Sequence, residues 1–176
     1  MKALRLTLVC HARTDAQRLG RFPLDEGIET DRLPRTPEPV ARLLSAPEAR
    51  ARQSAALFGA EVECVGALRD IDMGRWAGVA LKALQASEAQ ALARWLDDAT
   101  AAPPGGESFV QVVRRVGDWL DAFSTPGDWL AVTHPMVIRA AMVHVLGAPP
   151  AAMHTIDVLP LGRLELSFAG RWRLRL

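Results

Sequence analysis

Short runs of apolar residues, each followed by a polar turn, recur along the chain, and two of these runs end at a histidine. The first covers residues 6–9 and leads through Cys10 into His11 and an arginine-rich turn. The second covers residues 129–133 and leads into His134. Near-continuous apolar runs are typical of parallel strands that are buried on both faces. The pattern therefore predicts two buried strands, each with a histidine at its carboxyl end.

Apolar residues that recur every three to four positions predict helices between these strands. The clearest amphipathic segment is 108–123, and Gly147 is expected to end a second helix at 136–146. Ser45 is expected to cap a third helix, with Pro47 in its first turn. The predicted strands are 3–9, 40–45, 62–65, 129–133 and a terminal hairpin of 161–168 and 172–176. The predicted helices are 48–58, 81–96, 108–123 and 136–146, with a loop or irregular helix at 10–21 and an ordered loop at 22–39.

The order of these elements alternates between strands and helices, which favours an α/β fold. We expect one domain over residues 1–176, built as a three-layer sandwich with a mostly parallel central sheet and helices on both faces. In such sheets the ligand site lies beyond the carboxyl ends of the strands. Both histidines are predicted to lie there, as is Arg50 if the second strand runs parallel to the first.

Composition is consistent with a globular protein of 176 residues, with 49% hydrophobic and 23% charged residues. The net charge of +1 gives no reason to expect a nucleic acid partner, and neither a basic stripe nor stacking aromatic residues are present. No apolar run approaches the roughly 20 residues that a membrane span needs. With no signal segment at the start, we expect a cytoplasmic protein that binds neither nucleic acid nor membrane.

The two cysteines, Cys10 and Cys64, both lie in strand-like runs. They form no closely spaced set of the kind that indicates a disulfide scaffold or a metal site. We expect both to be buried free thiols.

A single histidine at a strand end is more often structural than catalytic, but a second one at a neighbouring strand end, with arginines nearby, favours catalysis. Each of these residue types would have a part if the target were a phosphorus atom. A histidine acts as a nucleophile when its second ring nitrogen is held by a hydrogen bond. Arginines and a second, protonated histidine neutralise the oxygens of a phosphoryl group under attack. The leaving oxygen then needs a proton from a carboxylic acid, and Asp70 and Asp72 lie together before a glycine turn.

Four separated blocks resemble the histidine phosphatase superfamily, also called the phosphoglycerate mutase-like family. That family opens with Arg-His-Gly at the end of the first strand and continues with Ser-Ser-Pro-Leu-x-Arg-Ala-x-Gln-Thr-Ala. Its later blocks resemble Leu-x-Glu-x-x-x-Gly-x-Trp-x-Gly and Val-x-His-Gly-Gly-x-Ile-Arg. The corresponding blocks here are 10–12 (CHA), 45–55 (SAPEARARQSA), 68–78 (LRDIDMGRWAG) and 132–139 (VTHPMVIR).

The resemblance implies a phosphomonoester hydrolase with defined residue roles. His11 corresponds to the nucleophile that becomes phosphohistidine, and Arg50 and His134 correspond to the groups that bind the phosphoryl group. Asp70 occupies the general-acid position, with Asp72 as the fallback. The resemblance implies no metal or organic cofactor.

This chain departs from the family pattern at the phosphate pocket. Cys10 stands in place of the first arginine, and Ala12 and Pro135 replace glycines. We expect an arginine of the following loop to restore the lost charge, Arg18 first, with Arg21 and Arg13 as alternatives. The Met136 N–H is expected to donate to the phosphate in place of the residue after His134. The expected substrate-binding residues are Arg50, Arg18, Thr14, Cys10 and Met136.

Two functions follow from this sequence. The leading one is a phosphatase that acts on a small phosphorylated metabolite or a phosphoprotein; a mutase is disfavoured because the family's mutases are longer. The alternative is a degenerate, non-catalytic protein that binds phosphate esters, since three departures fall in the phosphate pocket. The terminal hairpin leaves self-association as a further possibility.

Overall fold

The structure is a computed structural model that describes residues 3–31, 33, 40, 42–59 and 61–176. Much of the proline-rich part of the loop predicted at 22–39 falls outside these residues. The strands are β1 (Leu4–Cys10), β2 (Leu43–Ser45), β3 (Glu63–Cys64), β4 (Gly127–Thr133), β5 (Arg163–Phe168) and β6 (Trp172–Arg175). The helices are α1 (Asp15–Leu19), α2 (Ala49–Ala55), α3 (Leu81–Ser87), α4 (Ala89–Asp97), α5 (Phe109–Ala122) and α6 (Pro135–Leu146).

Six strands of the described residues form one sheet in the order β3-β2-β4-β1-β5-β6. The four strands β3, β2, β4 and β1 run parallel, while β5 and β6 are antiparallel to their neighbours. The side chains at the carboxyl ends of β1 and β4 are buried on both faces of the sheet. This confirms the predicted α/β fold with a mostly parallel sheet and helices on both faces.

The register of β1 and β4 brings the two histidines together. Cys10 pairs with Thr133 at the last position of the ladder, so the chain leaves both strands at the same level. The next residues are His11 and His134, and the His11 N–H still donates to the carbonyl of Thr133 at 2.9 Å. A one-residue slip in this pairing would turn one histidine to the other face of the sheet.

An aromatic cluster and a close backbone contact hold the loop that carries the two candidate acids. Phe22 stacks on Trp76 at 6.2 Å between ring centroids, and both rings contact Trp95 edge-on. Gly74 has φ +51°, and a Cβ at this position would lie 2.3 Å from the carbonyl oxygen of Pro104. Only glycine allows this approach, which fixes the loop against the turn before α5.

Three local predictions are wrong. The helix predicted at 81–96 is two helices, because Glu88 has φ −137° and ψ 42° and its carboxylate accepts hydrogen bonds from Arg75 and Trp76. Ser45 does not cap a helix; it ends β2, and its hydroxyl donates to the Ala46 carbonyl. Cys64 is exposed, because β3 is an edge strand of two residues.

Among the described residues, every helix is too short or too polar to cross a membrane. A cytoplasmic location stays a prediction.

Candidate active site

His11 is held in one ring orientation with one nitrogen free. It is 3% exposed, and its Nδ1 lies 2.7 Å from the carbonyl oxygen of Ala12. Because a carbonyl only accepts hydrogen bonds, Nδ1 carries the proton and Nε2 keeps its lone pair. Burial, followed by the charge of His134, lowers the pKa of His11 from 6.5 to about 4. The ring is therefore neutral at neutral pH, which leaves the Nε2 lone pair available for base or nucleophile chemistry.

His134 faces His11 from the end of β4. The two ring centroids lie 5.3 Å apart, and the ring planes are inclined by 59°. The His134 ring is fully buried, and its Nε2 lies 2.7 Å from a carboxylate oxygen of Glu48. Its Nδ1 is buried without a hydrogen-bond partner and lies 3.5 Å from Asp70 Oδ2. One nitrogen of this ring is thus paired with a carboxylate, and the other has no hydrogen-bond partner among the described residues.

Arg50, near the start of α2, brings a buried cation to the same place. It is 3% exposed, and its terminal nitrogens donate to Asp70 Oδ2 at 2.6 Å and to the Leu24 carbonyl at 3.0 Å. Its Nε is buried and has no hydrogen-bond partner. A buried donor without a partner costs about 1–3 kcal/mol, which a bound anion would recover.

Asp70 and Asp72 have different surroundings. The Asp70 carboxylate contacts Arg50 and lies near His134, and its side chain is 14% exposed. Asp72 is exposed, and its carboxylate accepts a hydrogen bond from the Gly74 N–H of its own turn. Only Asp70 of these two lines the cavity beside His11, so the geometry favours Asp70 as the acid.

The cavity beside these residues encloses about 190 Å³. His11, Arg50 and Asp70 line its polar end, and Thr14 and Met136 also line it; substrate binding by Thr14 and Met136 stays a prediction. Thr14 is buried because it caps α1, where its hydroxyl accepts from the Gln17 N–H. The remaining lining residues are Ala16, Gln17, Arg21, Phe22, Pro23, Ile71, Met73, Pro135 and Arg139.

The cavity lining does not include Arg18 or Arg13. The Arg18 guanidinium is exposed and donates to Asp15 at 2.6 Å and to Glu29 at 3.2 Å. Arg13 is also exposed, with its Nε 4.0 Å from Glu29. A substrate-binding role for Arg18 stays a prediction, and it requires the side chain to leave both carboxylates.

Cys10 lies behind the cavity and not in its wall. The thiol is fully buried, and burial followed by the charge of Asp70 raises the pKa of Cys10 to about 12. It is therefore a neutral thiol at physiological pH. The structure gives this side chain no contact with the cavity, and its substrate-binding role stays a prediction.

Two further arginines line the cavity, Arg21 and Arg139, and each already has hydrogen-bond partners within the protein. Arg21 makes a bidentate ion pair with Glu26, with distances of 2.6 and 3.0 Å. Arg139 donates from its Nε to the Ile156 carbonyl and from a terminal nitrogen to the Met136 sulfur. No carboxylate of the described residues lies within ion-pair distance of Arg139.

Glu48 and Ser54 are the site residues that sequence reasoning missed. Glu48 binds His134, and Ser54 accepts the Ala12 N–H at 2.8 Å while donating to the Arg50 carbonyl. Ser54 thereby ties the turn after His11 to the helix that carries Arg50. The signal for Glu48 was present: it is an acidic residue where the resembled block has leucine.

Within the described part of the chain, no three histidine, cysteine, aspartate or glutamate side chains are grouped so as to hold a metal ion.

Known proteins are similar to this chain in sequence and in fold. The model of the histidine phosphatase superfamily, branch 1, matches residues 6–175. The chain is 33% identical over 146 residues to the bifunctional protein Rv2228c of Mycobacterium tuberculosis. The matched region covers 78% of this chain but only 40% of that protein. The chain therefore spans less than half the length of the first curated relatives it matches.

Two further relatives match along most of their length. An adenosylcobalamin/α-ribazole phosphatase of Salmonella typhimurium is 31% identical over 168 residues, covering 85% of this chain and 83% of that protein. The solved structure of a mycobacterial glucosyl-3-phosphoglycerate phosphatase in complex with VO3 superposes with a TM-score of 0.84. It is 27% identical and covers 99% of this chain and 98% of its own.

Proposed function

Because this chain belongs to the histidine phosphatase superfamily, we propose that it is a phosphomonoester hydrolase that forms a phosphohistidine on His11. One observation carries the proposal. His11 and Arg50 line one cavity, and His134 lies beside His11 at 5.3 Å between ring centroids. Two buried nitrogens of this cluster, Arg50 Nε and His134 Nδ1, have no hydrogen-bond partner among the described residues. A phosphoryl group between them would satisfy both donors and lie next to His11 Nε2.

The first step transfers the phosphoryl group to the enzyme. The lone pair of His11 Nε2 forms a bond to phosphorus while the bond from phosphorus to the leaving oxygen breaks. Arg50 and His134 stabilise the charge on the phosphoryl oxygens. Asp70, as the carboxylic acid, gives its proton to the leaving oxygen, and an alcohol departs.

The second step releases phosphate by hydrolysis. Asp70, now a carboxylate, takes a proton from a water molecule as the water oxygen attacks phosphorus. The bond from phosphorus to His11 Nε2 breaks, and the ring returns to its neutral form. Inorganic phosphate leaves, and both His11 and Asp70 regain their starting protonation states.

The proposed substrate is a small phosphorylated metabolite or a phosphoprotein. Two relatives support phosphatase chemistry, because one is named an adenosylcobalamin/α-ribazole phosphatase and the other a glucosyl-3-phosphoglycerate phosphatase. The cavity wall also carries apolar side chains beside the phosphoryl end, among them Phe22, Ile71 and Met73. These side chains provide a surface for the leaving group of the ester.

The second candidate is a non-catalytic protein that binds phosphate esters. The observation that favours it is Cys10, a buried neutral thiol where the family pattern has a phosphate-binding arginine. Against it, His11, Arg50 and Asp70 all line the cavity, and the ring of His134 lies 5.3 Å from that of His11.

Hydrolysis of para-nitrophenyl phosphate separates the two candidates. The native chain is expected to turn over this ester, His11→Ala to lose activity, and the exposed-histidine control His154→Ala to retain it. Vanadate binding is measured in parallel. Vanadate binding without turnover by the native chain would favour the non-catalytic binder, and activity that survives His11→Ala would exclude the His11 mechanism.

A further inference from the structure

Glu48 connects two of the proposed functional residues through one carboxylate. Its Oε2 lies 2.7 Å from His134 Nε2, and its Oε1 accepts the Asp70 N–H at 3.0 Å. The side chain is 20% exposed. Burial opposes ionisation of this carboxyl, but the hydrogen bond and charge of His134 outweigh it and lower the pKa of Glu48 to about 2. The carboxylate is therefore charged at any physiological pH.

Glu48 lies where an acidic residue ordinarily caps the start of a helix. It is the residue that precedes the first turn of α2, where an acidic side chain caps the free N–H groups of its own helix. Glu48 makes no such hydrogen bond. The Ala49 N–H is instead taken by Asp25 Oδ1 at 2.7 Å. The carboxylate of Glu48 is thus turned from its own helix to His134.

We propose that Glu48 is a positioning residue that fixes the His134 ring and keeps it doubly protonated, so that Nδ1–H points at the phosphoryl site. The contacts of Glu48 stand independently of the proposed function, and only their effect on catalysis rests on it. A carboxylate accepts only, so Nε2 must carry a hydrogen. A neutral ring in this orientation would present the lone pair of Nδ1 to a phosphoryl oxygen, which is repulsive. The second proton converts Nδ1 from an acceptor into a charged donor.

The charged groups around His134 support this protonation state. Glu48 lies at one edge of the ring, and Asp70 lies 3.5 Å from Nδ1 at the other. The one cation that opposes them is Arg50, which pairs with Asp70, while the nearby ring of His11 is neutral. An opposite charge within hydrogen-bond distance favours the charged form of a histidine. Two carboxylates against one arginine leave the cluster able to hold one more positive charge.

The imidazolium also compensates for a missing cation. The family pattern has an arginine where this chain has Cys10, and a leucine where it has Glu48. Glu48 offsets the loss of the arginine at position 10, because its carboxylate supports a positive charge on the ring of His134 beside the phosphoryl site. A charge-assisted hydrogen bond from Nδ1 then replaces part of the lost arginine contact.

The test compares Glu48→Gln and Glu48→Leu with Glu61→Gln, a change of an exposed acid outside the site. Glutamine keeps the hydrogen bond from Nε2 without the charge, and leucine removes both. Histidine ring nitrogens are observed by ¹⁵N NMR of the ligand-free protein at neutral pH, with His134→Gln to identify the signals. We expect both His134 nitrogens to be protonated in the native chain and in Glu61→Gln, and only one in Glu48→Gln.

Kinetics provide the second readout. In Glu48→Gln, the alkaline limb of the kcat/KM profile is expected to move to lower pH by about one unit or more, with activity recovering at acidic pH. In Glu48→Leu, we expect activity to stay low at every pH because the ring orientation is lost. An unchanged ring spectrum in Glu48→Gln, or a profile that is only scaled down, would overturn the proposal. The NMR result decides the role of Glu48 even if the native chain hydrolyses no ester.

Discussion

Arg50 and Asp70 form a buried ion pair of 2.6 Å at the polar end of the cavity. In the resting protein, the cation proposed to bind phosphate is therefore engaged by the acid proposed to protonate the leaving group. A phosphoryl dianion competes with Asp70 for Arg50, and Asp70 is then left beside a second anion. Loss of its ion pair leaves the Asp70 side chain able to turn to the leaving oxygen of the proposed ester. Substrate binding and preparation of the acid are thus linked through one contact.

Replacement of Arg50 is expected to lower activity strongly. Arg50→Gln removes the charge and two directed donors, and we expect kcat/KM to fall by about 10²- to 10³-fold, the range seen for loss of one transition-state donor. Arg52→Gln is the matched control, because Arg52 lies on the same helix but is exposed. Its kcat/KM is expected to change less than about twofold. Equal losses in the two variants would contradict the assignment of Arg50.

The two acids are distinguished by their dependence on the leaving group. Asp70→Asn is expected to lower kcat for an alkyl phosphate by about 10²-fold or more, because an alkoxide needs a proton to leave. The loss is expected to be much smaller with para-nitrophenyl phosphate, since nitrophenolate leaves without one. Asp72→Asn is expected to change neither rate. If Asp72→Asn gave the leaving-group-dependent loss, the acid would be Asp72.

The two thiols are expected to differ in reactivity. Cys64 is exposed, whereas Cys10 is buried and burial raises its pKa to about 12. Only thiolates react readily with a disulfide reagent. One thiol is therefore expected to react in the native protein and two after unfolding, and Cys64→Ser should leave none in the native state. Rapid native labelling of Cys10 would show that it is not the inert core residue described here.

Stability is expected to decrease on acidification because His11 is buried in its neutral form. Its pKa is about 4 in the folded protein against 6.5 for the free group, so the unfolded chain binds more protons between these values. The free energy of unfolding should fall as pH drops from about 6.5 to 4, by on the order of 3 kcal/mol. Because the pKa of Glu48 is lowered to about 2, this residue decreases the free energy of unfolding further only below about pH 4.5.

Chemical denaturation at a series of pH values measures this effect. His11→Gln removes the titrating group and should give a flatter curve over the same window. The same slope in the native protein and in His11→Gln would assign the acid sensitivity to another group.

The parts of the site that follow local patterns were predictable from sequence. An apolar run that ends in histidine places His11 and His134 at strand ends, and their proximity follows from parallel pairing. The helix of Arg50 and the loop of Asp70 were recognisable from their blocks. In each case the sequence of one segment determines where the functional residue lies.

The parts that depend on contacts between distant segments were not predictable. Glu48 looks like an ordinary first-turn acid, and its turn toward His134 depends on Asp25 taking over the adjacent N–H. Arg18 appeared free to enter the site, but Glu29, eleven residues away, competes for it. The break at Glu88 likewise results from a partner in another loop, Trp76.

The central claim is that His11 becomes phosphorylated, and trapping of the intermediate tests it most directly. The protein is mixed with a ³²P-labelled phosphomonoester, quenched in alkali and digested, and the labelled peptide is identified. We expect acid-labile, alkali-stable label on the peptide that contains His11, absent from His11→Ala and retained in His154→Ala. Rapid hydrolysis with no label on that peptide, or equal label in His11→Ala, would contradict the account.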